Sequence, residues 1–293
     1  MNAILMDAIL MDALKKGQCE DMHDYSITFA CYNSVEYTKK CVDSLIQSET
    51  PMDRVIVVDN GSHDGTGDYL KTQSFGGVIL NKSNLGCGIA WNQGALVQQA
   101  DWTIIMNNDV LVSKRWAERL IEAAQTLNVK VISPSMVEGP LDYDFEDFSK
   151  KAEIRMGAVS RMGAKHAVCL AVHKTVWADI GYFTPKPRLL GYEDTIFFNE
   201  LEKAKIQTAI TGAVWLHHFG SITQDQMKKE KGLASFQALG HRKNYKILGL
   251  NWLERKMRRL KRKNAEALWR KSEMAGFNMT LHGIRQSGNF SWR

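Results

Sequence analysis

The chain has 293 residues, of which 44% are hydrophobic and 24% are charged, a composition typical of a globular protein with room for a full core. The sequence contains no uninterrupted apolar run of about 18 residues, and its start carries Asp7 and Asp12 without a basic region, which argues against a spanning helix and an export signal. The five scattered cysteines are typical of reduced thiols in a cytoplasmic protein.

The net charge of +6 comes from one segment. Residues 242–271 hold twelve Lys or Arg and two Glu, so this segment carries +10 and the rest of the chain −4. A mildly acidic body with one basic arm does not have the charge distribution of a nucleic-acid-binding protein. We therefore expect no nucleic-acid partner.

The N-terminal residues 3–12 repeat the sequence Ala-Ile-Leu-Met-Asp in tandem. Ala, Leu and Met favour a helix, which Gly17 would end, although a frayed terminus is an equally good interpretation. We expect residues 1–24 to form an extension outside the folded body.

Four short apolar runs predict the strands of the body. They cover residues 26–31, 54–58, 76–80 and 103–106, and helical patterns follow at 35–48, 89–100 and 113–127. A strand–helix–strand order requires parallel pairing, and continuous apolar runs are typical of strands buried on both faces. Polar residues follow each strand, so we expect them to gather at the carboxyl edge of the sheet, where ligands bind in open α/β folds.

Four of the motifs at these strand ends carry a resemblance. They are residues 27–33, residues 57–66, Asn84-Leu85-Gly86 with Asn92 and Gly94, and Asn107-Asn108-Asp109. In order and spacing they resemble the family 2 glycosyltransferases of the GT-A fold, particularly the rhamnosyltransferase-like branch. The resemblance implies a Rossmann-like, mostly parallel central sheet flanked by helices over residues 25–225.

The resemblance also divides the chain. Residues 25–110 would form the nucleotide-sugar half and residues 111–225 the acceptor half, followed by a helical basic extension over residues 226–293. Within this division, residues 134–151 predict a long acidic loop and residues 276–293 a loosely ordered end.

The donor site implied by the resemblance lies on the loops after the strands. Asp59 would accept a hydrogen bond from a pyrimidine N3–H, although an Asx turn with Gly61 is the alternative for an Asp in this position. Gly86 would allow close approach of a sugar, or is an ordinary left-handed residue. The full predicted set is Ala30, Tyr32, Asn33, Asp59, Asn60, Gly61, Asn84, Gly86, Asn92, Asn107 and Asn108.

A metal site is implied at Asp109, because Asn107-Asn108-Asp109 occupies the family's Asp-X-Asp position. The first acidic residue is replaced by Asn107, so binding of Mn²⁺ or Mg²⁺ would depend on Asp109 and diphosphate oxygens; the alternative is that Asp109 caps the next helix. The resemblance also implies a histidine ligand after the last strand, at His217. Strand alternation places His217 and His218 on opposite faces, so only one of them is expected to reach the metal.

Glu193 and Asp194 open a predicted helix over residues 195–205. Adjacent carboxylates at a helix start commonly act as capping groups. The resemblance implies instead that Asp194 is the general base, with Glu193 beside it, and that the acceptor oxygen attacks opposite the leaving diphosphate, which inverts the anomeric centre. The chain departs from the family pattern at Ile196 and at residues 182–185, both on the acceptor side.

The basic segment reads as an amphipathic helix from His241, with Tyr245, Leu248, Trp252, Met257 and Leu260 near one stripe. Such helices lie on anionic membranes, but an apolar stripe also packs against a protein core. Both interpretations stay open for residues 241–271.

The predicted function is a metal-dependent inverting glycosyltransferase. It would move a sugar from a nucleotide-diphosphate donor, dTDP-rhamnose or a UDP-hexose, to a glycan or lipid-linked acceptor in surface polysaccharide assembly. We expect it in the cytoplasm, with a peripheral contact on the inner face of the membrane if the basic helix binds lipid. The alternatives are a nucleotidyltransferase, for which no Gly-rich triphosphate loop is found, and a catalytically silent GT-A-like binding protein, suggested by Asn107 and Ile196.

Overall fold

A computed structural model describes residues 23–185, 193–220, 222 and 247–293. The tandem repeat, its predicted helix up to Gly17 and Tyr245 of the basic stripe lie outside these residues. Across the described residues no helix is long and apolar enough to cross a membrane.

Within the described residues eleven strands form one sheet, with helices between them. The strands are β1 Tyr25–Cys31, β2 Val55–Asp59, β3 Gly77–Leu80, β4 Trp102–Asn107, β5 Val110–Val112, β6 Val131–Glu138, β7 Ser160–Met162, β8 Cys169–His173, β9 Thr208–His218, β10 His282–Gln286 and β11 Asn289–Trp292. The helices are α1 Val35–Gln47, α2 Thr66–Lys71, α3 Cys87–Val97, α4 Trp116–Thr126, α5 Phe145–Met156, α6 Lys174–Ile180, α7 Glu193–Lys203 and α8 Trp252–Phe277, with a short 3₁₀ turn at Met52–Arg54.

Strand β1 lies at the centre of a parallel half-sheet. It pairs in parallel with β2 and β4, and β2 pairs in parallel with β3. The register sets Cys31 opposite Asp59 and Ala30 opposite Asn107. The polar residues after these strands therefore meet at one edge, as the strand–helix–strand order predicted.

Beyond β4 the sheet is mixed. Strand β8 runs antiparallel to β4 and β6, while β9 pairs in parallel with β6 and antiparallel with β5 and β7. The expected α/β architecture is present, and uninterrupted parallel pairing is confined to strands β1 to β4. In the second half, β6 still pairs in parallel with β9 and β10, while β8, β5 and β7 form antiparallel pairs.

The long acidic loop expected over residues 134–151 is a wrong prediction. Strand β6 continues to Glu138, and helix α5 begins at Phe145. Pro134 suggested a break because it lacks an N–H, but the strand accommodates it with a register shift against β9 between Pro134 and Ser135. Asp144 caps α5 by accepting a hydrogen bond from the Asp147 N–H at 3.0 Å, so part of the acidic run serves a helix start.

The loosely ordered end expected over residues 276–293 is also wrong. Strands β10 and β11 form a hairpin, and β10 pairs in parallel with β6. Phe290 and Trp292 pack against the buried cluster around Trp215. The sequence pattern did not reveal this because the hairpin is short and its partner strand lies far away in the chain.

Helix α8 is joined to the sheet by a buried ion pair between Arg161 on β7 and Glu273. The two Arg161 nitrogens Nε and Nη2 donate to Glu273 Oε1 and Oε2 at 2.7 and 2.8 Å. Glu273 Oε2 also accepts the Leu281 N–H at 2.9 Å, just before the hairpin. Both charged side chains are less than a tenth exposed, so each depends on the other to compensate its lost hydration.

We expect Glu273→Gln to lower the free energy of unfolding by about 3 kcal/mol, because it leaves the Arg161 guanidinium buried without a countercharge. Urea denaturation measures this change. The matched control is Glu146→Gln on α5, which breaks an exposed pair with Lys150 and should cost less than about 1 kcal/mol. Equal losses in the two variants would contradict the assignment of a structural role to the buried pair.

Candidate active site

A cleft of ≈ 1450 Å³ opens at the carboxyl edge of the parallel strands. Residues from both halves of the chain line it, and most of the predicted donor, metal and base residues are among them. Those that line the cleft are Ala30, Tyr32, Asn60, Asn84, Asn107, Asn108, Asp109, Glu193 and Asp194.

An amide network shapes the end of the cleft next to β2 and β3. Asn60 Nδ2 donates to Asn84 Oδ1 at 3.0 Å, and Asn60 Oδ1 accepts the Leu85 N–H at 3.0 Å. Asn84 Oδ1 also accepts the Gly86 N–H at 2.9 Å, at a glycine whose φ is +91°. The loop after β3 is thereby fixed to the end of β2, and the positive φ explains why glycine occupies this turn.

Asn33, Asp59 and Gly61 hold the neighbouring loops together. Asn33 Oδ1 accepts the His63 N–H at 2.8 Å, and Asp59 Oδ1 accepts the Ser62 N–H at 3.1 Å. A Cβ on Gly61 would lie 2.7 Å from the Ser83 backbone. The Asx turn that was the alternative for Asp59 is therefore present, and Asp59 lies below the cleft surface rather than lining it.

Asn92, which was predicted to bind the donor, instead forms hydrogen bonds with the backbone of Phe183. Its Nδ2 donates to the Phe183 carbonyl at 2.7 Å, and its Oδ1 accepts the Phe183 N–H at 3.0 Å. This reciprocal pair fixes the segment after α6 to helix α3. Asn92 therefore positions the segment around Phe183 and is not among the residues that line the cleft.

Asp109 follows strand β4 and is 4% exposed. Its backbone carbonyl accepts the Phe219 N–H at 3.0 Å, which links the end of β9 to this loop. Its neighbour Asn108 donates to Thr38 Oγ1 at 2.9 Å. These contacts hold the Asp109 carboxylate at the cleft and leave Asn107 beside it on the cleft wall.

The histidine beside Asp109 is His218, whereas His217 was predicted. His218 Nε2 lies 3.4 Å from Asp109 Oδ1 and lines the cleft. His217 points away from the cleft lining, where its Nδ1 is 2.9 Å from the Tyr143 hydroxyl and its ring packs against Phe219. Burial lowers the pKa of His217 to about 4, so this ring is neutral. Alternation was expected to bring one of the two histidines to the site; the structure brings His218.

Glu138 supports His218 from behind. His218 Nδ1–H donates to Glu138 Oε1 at 3.2 Å, and His282 Nε2–H donates to Glu138 Oε2 at 2.9 Å. These hydrogen bonds hold the pKa of Glu138 well below its usual range. Burial lowers the pKa of His218, but the Asp109 and Glu138 carboxylates outweigh it and raise the value to about 9. Sequence analysis missed Glu138 and His282 because it placed both in irregular segments.

The Asp109 carboxylate and the His218 ring fit a divalent cation, which would displace the Nε2 proton that the raised pKa of His218 retains in the free protein. At 3.4 Å the two groups are too far apart for a good hydrogen bond, and His218 Nε2 is a buried nitrogen that no described residue hydrogen-bonds. A carboxylate behind an imidazole is the usual support of a histidine ligand. Within the described ranges no group of three acidic, His or Cys side chains forms a metal cage, so the remaining ligands would be diphosphate oxygens and water.

Glu193 and Asp194 reach the cleft from the start of α7. Asp194 Oδ1 accepts the Thr195 N–H at 2.6 Å, a local contact within the first turn of the helix. The half-buried Cys87 on α3 lies among three carboxylates: burial raises the pKa of its thiol, and Glu193, Asp109 and Asp194 raise it further. The predicted base pair and the predicted metal ligand therefore converge on one part of the cleft.

The end of the cleft next to β7, α7 and α8 is lined by side chains that sequence analysis did not select. Arg161, Lys165, Arg258 and Trp269 line this end, and Arg258 Nη1 donates to Asn199 Oδ1 at 2.7 Å. Lys165 lies 3.6 Å from Glu202, and burial lowers its pKa. No local motif marks these residues, since β7, α7 and α8 meet only in the folded chain.

Residues 26–173, about half of the chain, match the glycosyl transferase family 2 model. Curated relatives include a poly-β-1,6-N-acetyl-D-glucosamine synthase of Staphylococcus epidermidis, 23% identical over 58% of this chain and 44% of its own length. Glycosyltransferase AglE of Haloferax volcanii is 24% identical over 54% of this chain and 55% of its own. The chain thus spans about half the length of these relatives.

Two solved structures share the fold. GalNAc-T7 with UDP, GalNAc and Mn²⁺ superposes with a TM-score of 0.53 at 14% identity, over 68% of this chain and 44% of that one. Residues 1–349 of Staphylococcus aureus TarS superpose with a TM-score of 0.52 at 16% identity, over 67% and 60% of the two chains. These similarities confirm the GT-A-like α/β fold.

We expect His218→Ala to weaken Mn²⁺ binding at least about tenfold, because it removes a nitrogen ligand whose supporting shell alone is commonly worth that much. Calorimetry with UDP present measures the dissociation constant. His217→Ala is the matched control and should leave the constant close to that of the wild-type chain. A loss confined to His217→Ala would restore the original assignment.

Proposed function

This chain belongs to glycosyl transferase family 2, and on that premise we propose that it transfers a sugar from a nucleotide-diphosphate donor to an acceptor hydroxyl with inversion. The observation that carries the proposal is the convergence of Asp109 and His218 with Glu193 and Asp194 on one cleft at the parallel sheet edge. A candidate cation-binding pair and a candidate base in one cleft are the two components that such a transfer requires.

The proposed donor is a pyrimidine nucleotide sugar, dTDP-rhamnose or a UDP-hexose. Support comes from two neighbours of the same fold, GalNAc-T7 with UDP and TarS in complex with UDP-GlcNAc. In this chain Ala30 and Tyr32 would flank the base, and the loop fixed by Asn60 and Asn84 would face the ribose and sugar. A rhamnose donor would be the more specific assignment, and it would place the chain in the rhamnosyltransferase-like branch.

The proposed metal is Mn²⁺ or Mg²⁺, held by Asp109 and by His218 in place of His217. Such a cation neutralises charge on the leaving diphosphate. Glu138 keeps the His218 ring oriented with Nε2 towards the cleft. Because the chain offers one carboxylate and one imidazole here, affinity should be high only when the nucleotide supplies further oxygens.

Asp194 is the proposed general base. Its carboxylate would take the proton of the acceptor hydroxyl as that oxygen attacks the anomeric carbon. The hydrogen bond from the Thr195 N–H fixes the carboxylate at the helix start, and the buried Glu193 precedes it in the chain.

For the acceptor we propose a hydroxyl of a glycan or of a lipid-linked sugar, in the assembly of a surface polysaccharide. The name of the Staphylococcus epidermidis synthase supports a polysaccharide product. A lipid-linked acceptor would be met at the inner face of the membrane by a cytoplasmic enzyme with a peripheral contact through residues 241–271.

Calorimetry against UDP-, dTDP- and GDP-sugars, with and without Mn²⁺, tests the donor. We expect one pyrimidine nucleotide sugar to bind with metal-dependent affinity, because the cleft joins the base-binding loops to Asp109 and His218. The free nucleoside serves as the control for binding that does not involve the diphosphate. Failure of every nucleotide sugar to bind would overturn the proposed function.

We expect Asp194→Asn to reduce transfer by at least about a hundredfold, the usual contribution of a general base, while donor affinity changes little. Release of nucleoside diphosphate in the presence of acceptor gives the rate, and calorimetry gives the donor affinity. Asp147→Asn, an exposed carboxylate on α5, is the control. Retained turnover in Asp194→Asn would remove this residue from the reaction.

A further inference from the structure

Helix α8 carries an apolar stripe that is exposed in the part of the chain that the structure describes. Leu253, Met257, Leu260 and Leu268 lie on one face by their helical spacing, and each is between 56% and 67% exposed. Trp252 at the helix start is 65% exposed. Isolated exposed apolar residues are ordinary, but four on one helix face, interrupted there by Asn264, mark an interaction surface.

The opposite face of α8 contacts the protein. Arg258 reaches Asn199 and Glu202 on α7 at 2.7 and 3.3 Å, and Glu273 forms the buried pair with Arg161. Trp269 packs with its ring 5.8 Å from the Arg161 guanidinium. At about 100° per residue these positions point roughly away from the stripe, so the helix is held on one side while its apolar side faces solvent.

Basic side chains border the stripe. Helix α8 contains nine Lys or Arg and three Glu, and Lys256, Lys263 and Arg270 lie along one border while Lys261 lies along the other. Among the described residues none of these four has an ion-pair partner, and the Lys256 ammonium lies 5.0 Å from the centre of the Trp252 ring. The surface therefore combines apolar contact with unneutralised positive charge.

We propose that α8 lies flat on an anionic lipid bilayer, with Leu253, Met257, Leu260 and Leu268 inserted between headgroups and the bordering Lys and Arg against lipid phosphates. An exposed amphipathic helix with Trp and Leu on one face and cations around it binds such surfaces. At 1.5 Å per residue the helix is about 39 Å long, which is enough for all four apolar residues to enter the interface together.

The basic residues beside the stripe favour an anionic bilayer over the two other partners considered, a second copy of the chain and a nucleic acid. A second copy of the chain would bring two strongly basic helices together, which like-charge repulsion opposes. A nucleic acid would satisfy the cations but leave the four apolar side chains in water. An anionic bilayer complements both features of the surface.

The orientation of α8 on a bilayer would also place the cleft relative to the lipid. The inward face of the same helix lines one end of the cleft through Arg258, Arg262 and Trp269. A bilayer beneath α8 would therefore lie next to that end, where a lipid-linked acceptor would enter. This consequence rests on the proposed function, whereas the lipid contact itself does not.

Co-sedimentation of the full-length chain with vesicles tests the proposal. We expect strong binding to vesicles of phosphatidylcholine with an equal amount of phosphatidylglycerol, weak binding to phosphatidylcholine alone, and weaker binding as salt is added. Lys256→Gln with Lys263→Gln should reduce the partition coefficient by roughly fivefold for each charge removed. Leu253→Glu with Leu260→Glu should abolish binding.

Matched controls come from helix α5, which carries similar residues on another surface. Ile154→Glu removes an apolar side chain that is 87% exposed, and Lys150→Gln with Lys151→Gln removes two exposed cations. Both variants should bind vesicles as the wild-type chain does. Substitution is preferable to truncation because deletion of residues 226–293 would also remove strands β10 and β11 from the sheet.

Three results would overturn the proposal: equal binding to neutral and anionic vesicles, full binding by the Leu253→Glu and Leu260→Glu variant, or a wild-type dimer that this variant dissociates in size-exclusion chromatography. Thermal unfolding of each variant verifies that it is folded. Because vesicle binding needs no nucleotide sugar, loss of donor binding with intact vesicle binding would reject the proposed function alone, and the reverse result would reject the membrane contact alone.

Discussion

The parallel register of β1 with β2 and β4 is the constraint on which the site depends. Setting Cys31 opposite Asp59 and Ala30 opposite Asn107 brings three chain reversals to the same sheet edge, each at the point where backbone groups leave the ladder and become available to a ligand. Hydrogen bonds then join the loops at this edge. The Asn60 and Asn84 side chains bond to each other, and the Asn33 side chain accepts the His63 N–H. These contacts fix the loops at this edge of the cleft relative to one another.

A second set of contacts builds the C-terminal residues into the same cleft. Asp109, His218, Glu138 and His282 form a row of alternating carboxylate and imidazole groups that runs from the cleft to strand β10. The buried pair of Arg161 and Glu273 fixes α8 to β7 in a similar way. The basic extension therefore contributes side chains to the site and strands to the sheet, and its exposed face remains available for a partner.

Local patterns predicted the elements that local physics controls. Continuous apolar runs identified β1, β2 and β4 because burial on both faces requires them, and the polar residues after each run marked the cleft edge. The prediction was wrong where long-range pairing decided the outcome. Pro134 stops an isolated strand, yet β9 supplies a partner that accepts a bulge there, and the hairpin of β10 and β11 becomes a pair of strands because β6 offers an edge.

The sequence by itself determined that polar groups would gather at the carboxyl ends of parallel strands, that a carboxylate would follow β4, and that one of two adjacent histidines would join it. Only the tertiary structure decided which one. Strand alternation places the side chains of His217 and His218 on opposite faces of β9. Which of the two faces the cleft depends on how β9 pairs with β5 and β6. The register shift opposite Pro134 moves the pairing from Thr211 to Trp215, and no local pattern reveals a shift set by a strand more than seventy residues away.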